Sequence, residues 1–146
     1  MVLLWYQATA AWMQANAYHE NTDHLTEALR LFPRDPVLLF LSGCEHETFA
    51  RPSIQAAVRS SDLPAGYELA VQSDEAEIRL AESLFRRALA QQPDHVEARL
   101  RLGRALLMRG RAREAAEELR RANRSADDDL TRYYGAMFLG GAEEAL

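Results

Sequence analysis

The sequence predicts an all-α chain, an α-solenoid of antiparallel helix pairs with about three repeats and the start of a fourth. Three observations carry this. The segment AESLFRRALAQQPD sets Ala81, Phe85, Ala88 and Leu89 on one helical face, and 34 residues later EAAEELRRANRS sets Ala115, Leu119 and Ala122 in the same relation. HLTEALRLFPRD places Leu25, Ala28, Leu29 and Pro33 each 60 residues ahead of Phe85, Ala88, Leu89 and Pro93, and Gly43 precedes Gly103 by the same 60. The excess over the 34-residue period is 26, so the second unit carries an insertion of about that length between Gly43 and Ala81.

In chain order, the first pair is expected as helices over about residues 3–16 and 21–32. Pro33 and Pro93 stop the second helix of their pairs, because a proline ring clashes with the preceding turn and lacks the N–H that the next turn would use. Pro36 suits the first turn of the next helix. Its partner begins at Asp74, placed to cap the turn with Glu77 answering three residues on. A third pair follows over about 96–109 and 112–124. A last helix carries Leu130, Tyr133, Tyr134, Met137 and Phe138 and leads to Gly140, Gly141 and AEEAL, where a further helix is expected to begin. A repeat stack normally closes with a polar outer face, so this aromatic ending predicts a piece of a longer array. The division expected is one domain over 1–146: repeat 1 at about 2–35, repeat 2 at about 36–95 with its insertion at about 50–75, repeat 3 at about 96–129, and a partial repeat 4 at about 130–146.

Within the insertion, Ile54, Ala57 and Val58 keep helical spacing, LPAG is a turn signal, and Tyr67, Leu69 and Val71 alternate like a short extended segment. Two readings stand. Either the flanking helices are longer, the first bent near Pro52, and their ends carry a packed loop, or the loop covers the groove and touches a partner.

Composition narrows the function classes. The 146 residues are 48% hydrophobic and 27% charged, which suits a globular domain with its own core. A net charge of −5 gives no bulk attraction to nucleic acid or an acidic membrane. All 17 basic residues are arginine, so cationic contacts are made by planar guanidinium forks. The lone Cys44 has no internal disulfide partner, which does not exclude an exported protein; the compartment stays open, with the cytoplasm slightly favoured. The apolar start lacks a basic residue before Arg30 and is interrupted by Gln7, a poor fit to a signal peptide. No stretch is long and apolar enough to span a bilayer.

These positions resemble the tetratricopeptide repeat family. Trp5, Ala8 and Trp12 fall where that family puts a bulky residue, a helix-packing residue and a second aromatic in the first helix of a pair, and Leu25, Ala28 and Pro33 match the second helix. Leu102, Gly103, Leu106, Gly110, Ala115, Leu119 and Ala122 match in the third unit, whereas Asn21, Arg99 and Asp127 depart from the pattern. The resemblance implies a concave groove lined by the first helix of each pair: Leu3, Tyr6, Ala10 and Met13, then Val37, Phe40, Cys44 and Glu47, then Glu97, Leu100, Arg104 and Met108. From these, with Arg101 beside them, the expected peptide-binding residues are Tyr6, Met13, Phe40, Cys44, Leu100, Arg101, Arg104 and Met108. Chaperone-type members grip a carboxylate with lysine and asparagine where Ala10, Cys44 and Glu97 stand here, so no such clamp is expected.

An apolar groove with adaptable methionines suits an amphipathic helix or an extended apolar segment. The expected function is a protein-interaction scaffold for a protein or peptide partner, with further repeats of a longer chain as additional neighbours. No nucleic acid, membrane insertion, cofactor or metal is expected. The first rival is a structural spacer or oligomerisation segment whose groove is filled by its own chain. Exposure of Tyr6, Phe40 and Leu100 marks an open groove, and burial of all three marks the spacer. The second rival is part of an enzyme. Cys44, Glu45, His46 and Glu47 are consecutive on a helix and cannot all converge, while His19, Glu20, Asp23 and His24 have poor spacing for a metal and His95 has no companion. Arg99, Arg101, Arg104, Arg109, Arg111 and Arg113 read as a solvated surface offset by Glu97, Glu114, Glu117 and Glu118.

Overall fold

The computed structural model describes residues 22–50 and 75–146. Among them are six helices and no strand: α1 (Thr22–Leu31), α2 (Pro36–Phe49), α3 (Glu75–Gln91), α4 (Val96–Met108), α5 (Ala112–Ser125) and α6 (Asp129–Glu144). The expected helix over 3–16, the insertion and the cap at Asp74 lie outside the described residues.

Two turns 60 residues apart are built alike. Phe32 N–H donates to Ala28 O at 2.8 Å and Gln92 N–H to Ala88 O at 2.9 Å, closing α1 and α3 just ahead of Pro33 and Pro93. Asp35 N–H then reaches Phe32 O, and His95 N–H reaches Gln92 O, both at 3.2 Å. The next helix is capped each time by a side chain. Asp35 Oδ1 accepts from the N–H groups of Val37 and Leu38 at 3.0 Å, and His95 Nδ1 accepts from Ala98 N–H at 3.2 Å. His95 therefore has the role of a helix cap, and its ring lies 4.7 Å from that of Phe40. The reversal between α4 and α5 turns on Gly110, whose φ of +69° is reached by glycine at no steric cost.

Helix pairs approach closely where glycine meets a bulky side chain. A Cβ on Gly43 of α2 would lie 2.6 Å from Phe85 Cε1 of α3, and one on Gly103 of α4 would lie 2.5 Å from Leu119 Cγ of α5. Phe85 and Leu119, one period apart, are both at 0% exposure, each seated on the glycine of its partner helix. Ala81, Ala88, Ala115 and Ala122 flank them at 0% and let the axes close up. The pairs then stack: α3 on α4, α5 on α6, and α4 on α6, with α1 against α2 at the other end. One core cluster runs from Ile78, Ala81 and Phe85 through Leu102 and Leu106 to Leu119 and Ala142.

The ending differs from expectation. α6 continues through Gly140 and Gly141 to Glu144, so no further helix begins at AEEAL. Neither glycine leaves the helical backbone, since the positive φ among the described glycines belongs to Gly110. At the roots of the 51–74 segment, His46 Nδ1–H on α2 donates to Glu77 Oε2 on α3 at 2.6 Å.

Phe85→Ala removes a ring at 0% exposure and should lower unfolding free energy by about 3–5 kcal/mol in denaturant titration. Gly103→Ala drives a methyl into Leu119 and should lose about 1–3 kcal/mol despite the better helix propensity of alanine. A stability gain in the second variant would refute the close approach.

Candidate functional site

The face that α2 presents to α4 is organised around a buried carboxylate. Glu47 lies four residues after Gly43 on α2, hence on the same helical face, and is at 0% exposure. A charge there demands compensation, which α4 provides. Arg101 Nη1 donates to Glu47 Oε2 at 2.8 Å, and Arg104 Nη1 stands 3.5 Å from Oε1. Arg101 also reaches Glu97 Oε1 at 3.2 Å. Each guanidinium covers an aromatic ring as well, Arg101 that of Phe40 at 5.8 Å and Arg104 that of Phe138 at 5.6 Å. Phe40 and Glu47 on α2, the arginines on α4 and Phe138 on α6 thus form one continuous set of contacts across three helices.

Beside this set opens a cleft of about 670 Å³, a size that holds a small ligand or a few side chains. Its α4 wall is Glu97, Leu100, Arg101 and Arg104; its α6 wall is Leu130, Thr131, Tyr134, Met137 and Phe138. Leu130, Tyr134 and Met137 are exposed.

The sequence-predicted residues fall in three places. Leu100, Arg101 and Arg104 line the cleft, although Leu100 is largely buried at 8%. Phe40, Cys44 and Met108 are half-buried and pack against the core cluster. Tyr6 and Met13 lie outside the described residues, as do His19 and Glu20. Among the exposure markers, Leu100 is therefore buried and Phe40 intermediate. The α6 wall was missed by carrying the groove through three units only. One more 34-residue step turns Glu97, Leu100 and Arg104 into Thr131, Tyr134 and Phe138, all in the cleft.

Cys44 has no activated thiol: burial pushes it up to about 12, and Glu47 and Glu97 add to this against the opposing charge of Arg101. The consecutive residues after it diverge, with Glu47 pointing inward and His46 engaging Glu77.

The arginine stretch is not the solvated surface that its spacing suggests. Besides Arg101 and Arg104, Arg109 and Arg111 also turn to a carboxylate in the neighbouring pair, Glu82 of α3, which is 5% exposed. Arg111 Nη1 donates to Glu82 Oε1 at 2.7 Å, Arg86 Nε to the same oxygen at 3.0 Å, and Arg109 Nη1 pairs with Oε2. Arg99, out of pattern for an apolar site, joins Glu118 of α5 at 2.7 Å and the carbonyl of Pro93. The expected offset by Glu97 and Glu114 is present as well, through Arg101 and Arg111. Sequence reading misses the two buried acids because a glutamate on a helix reads as solvated.

Residues 74–137, which take in α3, α4, α5 and the first half of α6, match the family model described as Tetratricopeptide repeat, and the match supports the resemblance to that family. Such repeats generally mediate protein–protein interaction, and the family is typically a non-enzymatic scaffold. Comparison with curated proteins and with solved structures gives no match. No helix among the described residues is long and apolar enough to cross a membrane.

Burial alone would raise the Glu82 carboxyl, but hydrogen bonds from Arg109 and Arg86 and the charge of Arg111 outweigh it and hold the group below its ordinary value. The folded-state value lies under the unfolded one, so this stabilisation is complete above the unfolded glutamate value of about 4.3 and is lost as pH falls through the folded value. Denaturant titrations repeated down this acid range should show a fall in stability that is shallower in Glu82→Gln; equal slopes would refute the assignment. Arg101→Ala leaves Glu47 buried beside Arg104 alone and should cost about 3 kcal/mol, whereas Glu47→Leu should cost less because both arginines are partly exposed and can turn to water.

Proposed function

We propose that the chain is an interaction scaffold that holds an apolar peptide segment of a partner protein in the cleft between α4 and α6. The observation that carries this reading is the cleft itself: exposed Leu130, Tyr134 and Met137 on one wall face guanidinium groups whose positions are fixed from below by Glu47. Large apolar side chains left open beside ordered polar groups suit anchor residues of a peptide, and a methionine adapts to their shape. Arg101 and Arg104 already meet Glu47, and Glu97 stands at the rim, so charge is nearly balanced and affinity comes chiefly from apolar burial. The reading takes 36–95 and 96–129 as successive repeats, the first carrying an insertion at about 50–75, and 130–146 as the start of another.

A second reading, a structural spacer or oligomerisation segment, is favoured by the burial of Leu100 and by the packing of half-buried Phe40 on Phe85, His95 and Arg101. Selection from a displayed random peptide library separates the two. Peptides enriched on the purified chain should lose about tenfold or more in affinity against Tyr134→Ala and Met137→Ala, and keep it against Arg113→Ala on the exposed side of α5. No enrichment, or binding indifferent to Tyr134 and Met137, would favour the spacer.

A further inference from the structure

α6 has two apolar faces, and among the described residues only one of them is covered. Gly135 and Ala142 are buried, with Gly135 directly against Asn123 of α5, and Phe138 and Leu139 pack on the core. At 3.6 residues per turn, Leu130, Tyr133, Tyr134, Met137, Gly140, Gly141 and Glu144 share the opposite face. Leu130 and Tyr133 are 64% and 63% exposed, and a Cβ on Gly140 or Gly141 would meet nothing within 4 Å.

The chain's own period shows what kind of surface this is. One 34-residue step back from Tyr133 and Met137 stand Arg99 and Gly103, which α5 covers through Glu118 and Leu119. The open face of α6 thus continues the stacking interface that an antiparallel helix closes in the preceding pair. The sequence of α6 is complementary to itself for that role. In an antiparallel crossing centred on Met137, Tyr133 of one helix meets Gly141 of the other, Tyr134 meets Gly140, and Leu130 meets Glu144. An aromatic ring on a glycine socket is the device that already joins Phe85 to Gly43. The one charge on this face, Glu144, stands at its end, so no like charges oppose one another across the centre.

We propose that α6 docks against α6 of a second copy of this chain, antiparallel and about a two-fold axis at Met137, with Tyr133 and Tyr134 seated on the partner's Gly141 and Gly140. A two-fold contact is self-complementary by necessity, which is the property this helix has. A single pair of 16-residue helices gives a small interface, so the dimer is concentration-dependent. The proposal goes beyond the cleft reading: Tyr133, Gly140 and Gly141 are not among the cleft-lining residues. Leu130, Tyr134 and Met137 border both surfaces, so a bound peptide and a second copy compete for them.

Sedimentation of the full chain across a concentration series should show a mass rising from 16.5 kDa toward twice that value. Tyr133→Glu should stay monomeric throughout. Gly141→Leu should also stay monomeric while its thermal midpoint holds or rises, because the new side chain fills the partner's socket in a helix that gains propensity. Met137→Cys should form a disulfide-linked dimer on mild oxidation, in contrast to Arg121→Cys on α5. A wild-type chain that remains monomeric at every concentration, or a dimer unaffected by both Tyr133→Glu and Gly141→Leu, would overturn the proposal.

Discussion

The structure depends on how near two helices can come. Where α2 meets α3 and α4 meets α5, a glycine leaves out its side chain and a single bulky residue of the facing helix occupies the space against its backbone. The alanines on either side allow no larger residue without pushing the pair apart. α5, held against α4 by this contact, also packs on α6, so the same packing places α6 beside α4. The cleft is therefore a consequence of packing at Gly103 and Leu119 as much as of the residues that line it.

A second layer of specification is electrostatic. Glu47 and Glu82 are nearly or wholly removed from water, and each is met by guanidinium groups from the helix pair that follows. Apolar side chains of similar volume would serve stability as well or better. What the acids add is register: a fork-shaped cation on α4, or in the turn that follows it, satisfies a carboxylate on α2 or α3 in a narrow range of positions, so the pairs cannot slide past each other without stranding a buried charge. The exclusive use of arginine in this chain fits that requirement, since a lysine would supply charge without the planar geometry.

Much of the architecture was legible because periodicity records packing. The recurrence of Gly43 at Gly103, of Phe85 at Leu119, and of the two proline turns is visible as repeated spacing in the sequence, whereas the seating of each bulky residue on its glycine is seen only in the structure. Burial of Glu47 and Glu82 was not, because the same residue type is solvated in most helices and its partners lie tens of positions away. A hint was present: Glu47 shares the face of Gly43, and an acid on a core face requires cations from elsewhere. The α6 wall was legible in principle from the period and missed in practice, whereas the uninterrupted course of α6 was not, since Gly140 and Gly141 read equally well as a turn.

The hydrogen bond between His46 and Glu77 has a bearing on what happens between them. It ties α2 to α3 at the mouth of the 26-residue excursion, while Phe85 on Gly43 clamps the same two helices farther in. The two helices are thus held at two levels by contacts of their own, a polar one near their ends and an apolar one deeper in the pair. The register of α2 against α3 is therefore carried by residues on the helices themselves.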